Sequence, residues 1–168
     1  MCSFRGYIIT GFLLLAFIRS AAQLSTAKPF VKVDGEVTKS LMLNADDLAK
    51  MTRSTVTMKD HDGNVHIYSG VAIQEILEQA GVTMGSQLRK GNLSKYLLVK
   101  CADGYKVLFS LPEIDSSFTD KTIILADTLD GQPLSKDIGP FRVIVPGEKK
   151  GARSCFKVQE LSVMFAKE

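Results

Sequence analysis

From Phe30 to Leu43 (FVKVDGEVTKSLML) apolar and polar residues alternate on both sides of Asp34-Gly35. A period of two belongs to a half-buried strand, so a hairpin turning at Asp34-Gly35 is expected. Asn44 comes next, with Asp47 at capping-box spacing, and predicts a short helix that turns Leu48 and Met51 inward. Two β-branched runs in STVTMKDHDGNVHIYSG meet at Asp62-Gly63 and read as a second hairpin. In VAIQEILEQA, the residues Val71, Ile73, Ile76, Leu77 and Ala80 fall near one helical face, and Gly81 suits a helix stop. YLLVKCADGYKVLFS reads as strand, turn, strand, and LPEIDSSF as a short helix or turn. TIILAD and FRVIVPG are apolar strands separated by the Asp130-Gly131 turn and the loop QPLSKDIGP, and VQELSVMF is the last strand. The sum is α+β and β-rich, with a few short helices and no internal repeat or linker.

The first 22 residues follow a different pattern. A basic start at Arg5, an apolar run from Tyr7 to Ile18 and the small residues Ser20-Ala21-Ala22 have the form of a secretory signal peptide. The run is too short to span a bilayer. The expected organisation is a signal peptide over 1–22, a flexible leader over 23–29 and one domain over 30–168. Export to the periplasm is favoured over the extracellular space, with no membrane span after cleavage. An uncleaved anchor is the competing reading. No cysteine follows the apolar run, so lipoprotein anchoring is not expected, and Cys2 leaves with the signal.

Charge narrows the partners. The chain carries 21 Lys and Arg against 18 Asp and Glu. Arg5 and Arg19 belong to the leader, so the remainder is close to neutral and has no nucleic-acid footprint. Cys101 and Cys155 could form one disulfide in an oxidising compartment. Neither sits in a CxxC pair or at metal-ligand spacing with His61 or His66, and no zinc site is expected. His61 reads as a solvated residue of the KDHDGN turn and His66 as an outward strand residue. Asp60 and Asp62 read as surface-turn acids, because the EF-hand pattern is absent. No GxSxG, GxGxxG or GxxxxGK[ST] motif is present, and no catalytic residue is assigned.

The segment VPGEKKGARSCFK carries the clearest candidate chemistry. Lys149, Lys150 and Arg153 surround Gly151 and Ala152, and Lys157 follows. Phosphate-bearing ligands favour backbone N–H groups, a planar guanidinium and glycine that lets the backbone come close. The same loop could equally be a solvated charged surface.

Read in order, ADGYKVLFSLPEID, TIILADTLDGQPLSKDIGPFRVIVPG and KKGARS resemble the oxidoreductase molybdopterin-binding domain of the sulfite-oxidase family. That family carries DGY, SLPL, LNGxPL, GxPLRLVVPG and GARxVKW segments in this order. In the first half, VDGEV, LMLNADDLAKM and YSGVAIQEILEQAGV are similar to the family's VxGxV, LTLxDL and WxGVxLxxLLxxAG segments, so the resemblance runs from about Phe30 to the end. It implies a β-rich fold whose loops hold the pyranopterin and its phosphate, with Lys149, Lys150, Gly151, Ala152, Arg153 and Lys157 as the residues that would bind cofactor. Gly151, Ala152 and Arg153 match the family's GAR. The following lysine is displaced, since Phe156 precedes Lys157.

The metal position departs from the family. Those enzymes hold molybdenum through a cysteine thiolate shortly before the WxGVxL segment, and a soft thiolate suits that role. The corresponding place here is near Met58, where no cysteine stands, and KDHDGN replaces the arginine-bearing segment that follows. Molybdopterin remains the cofactor that the resemblance implies, with molybdenum itself doubtful and no metal ligand assigned. The leading expectation is an exported module that binds a pterin or another small anion, with a redox or protein partner. An oxidoreductase using a non-cysteine metal ligand and a cofactor-free interaction scaffold are the alternatives.

Overall fold

The computed structural model describes residues 28–167, so the expected signal peptide and most of the leader lie outside the described residues. Among the described residues, ten strands form two sheets. The first sheet orders β2 (Leu41–Asn44), β1 (Phe30–Gly35), β10 (Val158–Phe165), β5 (Lys95–Cys101) and β6 (Lys106–Ser110). The second orders β3 (Arg53–Lys59), β4 (Val65–Ala72), β7 (Ile124–Leu129) and β8 (Gln132–Pro133), with β9 (Arg142–Ile144) also paired to β7. Two helices, α1 (Ala45–Leu48) and α2 (Ile73–Gln79), complete the α+β architecture. No helix among the described residues is long and apolar enough to cross a membrane.

Alternation along each strand builds the core. Val31 and Val33 of β1, Leu97 and Val99 of β5, and Leu161 and Val163 of β10 all face inward. They meet Val71, Leu125 and Val143 of the second sheet and Ile73, Ile76 and Leu77 of α2. Each fully buried aliphatic side chain of this kind contributes roughly 1.5–3 kcal/mol. The opposite face of the second sheet carries a smaller apolar cluster of Met58, Tyr68, Ile124, Ala126 and Ile144.

Several expected elements form with changed edges. Asn44 caps α1 through the amides of Asp46 and Asp47, and the Asp47 carboxylate returns to the Asn44 amide. The first hairpin pairs as expected, but Asp34-Gly35 is not its turn. β1 runs through both residues because β10 pairs with it in parallel, opposing Ser162 to Asp34 and Val163 to Gly35. A side chain at Gly35 would collide with the Val163 carbonyl, and its φ of +93° also favours glycine. Val71 and Ala72 belong to β4 rather than to the helix, since both pair with β7. The loop expected after Gly131 contributes the two-residue strand β8, hydrogen-bonded back to β7.

Candidate functional site

The loop between β9 and β10 holds most of the residues expected to bind a ligand. Gly151–Arg153 form a single 3-10 turn, and the Ser154 hydroxyl accepts a 3.0 Å bond from the Val145 amide. Lys149 and Lys150 are exposed. The Ala152 carbonyl accepts a 3.0 Å bond from the Tyr105 hydroxyl. The Arg153 guanidinium is already engaged. Its Nε donates to Glu148 at 2.8 Å and another nitrogen to Glu113 at 3.0 Å, and it stands 4.8 Å from the centre of the Phe109 ring. The hydrogen bond that Arg153 donates to Glu148 leads the causes that raise the Arg153 pKa further. Burial alone would push the Glu113 carboxyl up, but Arg153 and the Ser110 amide outweigh it and hold the carboxyl below its ordinary value.

Lys157 is turned to another region. Its backbone takes φ of +52°, its amide donates to the Ile138 carbonyl and its carbonyl accepts from the Ala102 amide. These bonds place Lys157 along a groove of about 690 Å³ with Lys28 just before β1, Phe30 and Lys32 of β1, and Lys136, Gly139 and Pro140 from the loop before β9. The Gly139-Pro140 peptide is cis. Lys28 is paired with Asp46 and Lys32 with Asp34. Lys136 and Lys157 have no carboxylate partner among the described residues. The groove therefore joins apolar walls to two ammonium groups free to meet an anion.

A second ionic cluster was not foreseen from the sequence. Outward-facing Arg142 of β9 is only 2% exposed, and its guanidinium forms a two-pronged pair with Asp60 at 3.0 and 3.1 Å. Tyr68 donates to Asp60 and accepts from Arg142. The guanidinium stands 4.9 Å from the centre of the Tyr68 ring and 4.3 Å from that of Phe156. Its Nε is buried without a hydrogen-bond partner. Burial raises the Tyr68 pKa first and the Asp60 hydrogen bond adds to it, so the phenol stays protonated. Burial also pushes Asp60 up, but Arg142 and Tyr68 outweigh it and the carboxylate stays ionised. One signal was available: Arg142 is a lone charge inside the apolar run FRVIVPG. Its partner Asp60 looked like any other acid of the turn.

The same end of the sheet holds His66, half-buried between Asp62 at 2.9 Å and Asp130 at 2.7 Å. The Asp62 hydrogen bond, followed by that of Asp130, raises the His66 pKa to about 9, and His66 in turn lowers that of Asp62 to about 2. His61 is exposed, as expected. Met58 sits opposite His66 in the β3–β4 register and packs its thioether into the small apolar cluster. Among the described residues no group of His, Cys, Asp or Glu gathers in a metal-binding arrangement. Cys101 and Cys155 are buried free thiols on the other side of the second sheet, in the main core.

The sequence profile of the oxidoreductase molybdopterin binding domain matches residues 20–167, nearly the whole chain. The chain belongs to this family. Among solved structures, this molybdopterin-binding-type domain is similar to the sulfane dehydrogenase SoxCD from Paracoccus pantotrophus, with a TM-score of 0.62 and 21% sequence identity. The match covers 80% of this chain and 38% of the SoxCD chain, so the domain spans well under half of that protein. At this identity the likeness concerns the fold. Comparison with curated proteins finds no match.

Proposed function

We propose that this chain is an exported member of its family that binds a pterin or another small anion as an accessory module, without a protein thiolate for molybdenum. The lysine groove carries the reading. Phe30 and Pro140 offer apolar surface to a flat heterocycle, and Lys136 and Lys157 offer two uncommitted ammonium groups to a phosphate. A bound pterin dithiolene would bring sulfur donors of its own. The β3 position expected to supply a thiolate carries Met58, which packs among Tyr68, Ile124 and Ile144 and does not line this groove. A methionine thioether is a weak, neutral donor compared with a thiolate. The Lys149–Arg153 turn stays a secondary contact in this proposal, since a phosphate reaching Arg153 competes with Glu148 and Glu113 for its guanidinium.

Calorimetric titration with a pterin bearing a phosphomonoester, beside inorganic phosphate, tests the reading. Charge-assisted bonds are worth roughly 1.5–3 kcal/mol each, so Lys157→Ala and Lys136→Ala should each lower affinity by about one order of magnitude or more without shifting the melting temperature. Wild-type affinity in the double variant would remove the groove from consideration. Stoichiometric molybdenum in protein purified from a molybdenum-replete host would instead favour an oxidoreductase with a non-cysteine ligand.

A further inference from the structure

Cys101 is the last inward residue of β5, following Leu97 and Val99 into the main core, and it pairs in register with Val158 of β10. Cys155 precedes that strand by three residues and enters the same core. Several bonds fix the approach. The Ala102 amide donates to the Lys157 carbonyl at 2.9 Å, the Tyr105 hydroxyl to the Ala152 carbonyl at 3.0 Å, and the Val143 amide to the Cys155 carbonyl at 3.0 Å. These bonds and the Cys101–Val158 register bring both buried thiols to the same end of the main core. They differ in exposure, with Cys101 at 6% beside the exposed Asp103-Gly104 turn and Cys155 at 3%.

We propose that Cys101 and Cys155 form a reversible dithiol–disulfide pair that ties the end of β5 to the segment delivering Phe156 and Lys157. The asymmetry assigns the order of events. The hydrogen bond from Cys155 lowers the Cys101 pKa, while the Cys101 neighbour and burial raise that of Cys155. Opening of the Ala102–Tyr105 turn exposes Cys101 first. Its thiolate attacks one sulfur of a small-molecule disulfide and expels one thiolate, leaving a mixed disulfide. Cys155 then gives up its proton to the expelled thiolate and attacks the Cys101 sulfur, forming the internal bond and releasing the second thiolate, which takes the Cys101 proton. The protein loses two protons and two electrons, and the small disulfide becomes two thiols.

The bond would close a loop holding β6, β7, β8 and β9, and it would fix Phe156 against Arg142 and Lys157 in the groove wall. This chemistry does not depend on what the groove binds. Treating the purified protein with oxidised glutathione, alkylating it under denaturing conditions and mapping its peptides should yield a Cys101–Cys155 linked peptide that a reductant removes. The oxidised protein should melt roughly 10 °C above the reduced one, as expected for a long closed loop in a domain of this size. Cys155→Ala and Cys101→Ala should each abolish the redox-dependent shift. The wild-type comparison needs neither variant to fold well. Two free thiols persisting after oxidation, a bond only between different molecules, or identical melting of both redox forms would overturn the proposal.

Discussion

Arg142 and Arg153 lie on consecutive segments and each engages carboxylates and aromatic rings, yet they are held by different physics. Arg142 is almost wholly buried, has one carboxylate and stands against two rings. Arg153 is about a third exposed, shares two carboxylates and touches one ring. A buried ion pair gains little net stability when made, because desolvation opposes it, but breaking it strands a charge in a poor medium. A partly exposed pair can exchange carboxylates for water or for an incoming anion at little cost. Motif matching draws attention to Arg153, whereas burial marks Arg142 as the arginine on which local structure depends.

The largest expected effect separates the two directly. Asp60→Ala leaves the Arg142 guanidinium buried and unpaired and should destabilise the protein by about 3–5 kcal/mol, measured by denaturant unfolding. Replacing both residues by leucine should cost clearly less than Asp60→Ala alone. A mild Asp60→Ala phenotype would erase the distinction between the two arginines.

Arg153→Ala should cost about 1 kcal/mol or less by the same measurement, since solvent screens its pairs with Glu113 and Glu148. If Arg153 also contacts ligand, the variant should weaken phosphate affinity while its stability barely changes. A stability loss matching that of Asp60→Ala would show that the two sites are equivalent after all.

The smallest effect depends on pH. His66 bridges Asp62 and Asp130, and so steadies the turn that aims Asp60 at Arg142. Its folded pKa lies near 9 against an ordinary 6.5. The protonated form is favoured by folding, so its stabilisation is complete below pH 6.5 and is lost as pH rises through about 9. The melting temperature of the wild type should exceed that of His66→Gln by a constant margin in mild acid, and the margin should close over that interval. A margin that widens with pH would mean that the neutral imidazole is the form the fold prefers.

The sequence made local features legible. The Asn44 capping box, the Asp62-Gly63 hairpin and the limits of β10 follow from side chains a few residues apart, so pattern and turn chemistry suffice. The misplaced edges all come from distant partners. Asp34-Gly35 looked like a turn until β10, more than a hundred residues away, paired with it. Val71 and Ala72 had helical spacing, but β7 took them into the sheet. The candidate site shows the same division. The cationic loop could be recognised as a unit, but only the fold turns Lys157 away from Arg153 and brings it beside Lys136, Lys28 and Lys32. The Asp60–Arg142 pair joins two segments that carry no sign of each other.

The parallel pairing of β1 with β10 has a consequence for how the protein is made. The first strand of the domain cannot find its central neighbour until the last strand has left the ribosome. β1 and β2 must therefore wait with an unpaired edge, a state that invites aggregation or capture by a chaperone. The lysine groove, with walls from β1, the loop before β9 and the start of β10, is among the last features to form. Nascent chains truncated before Val158 should be recognised as unfinished, and ligand binding should appear only once β10 is free to pair with β1.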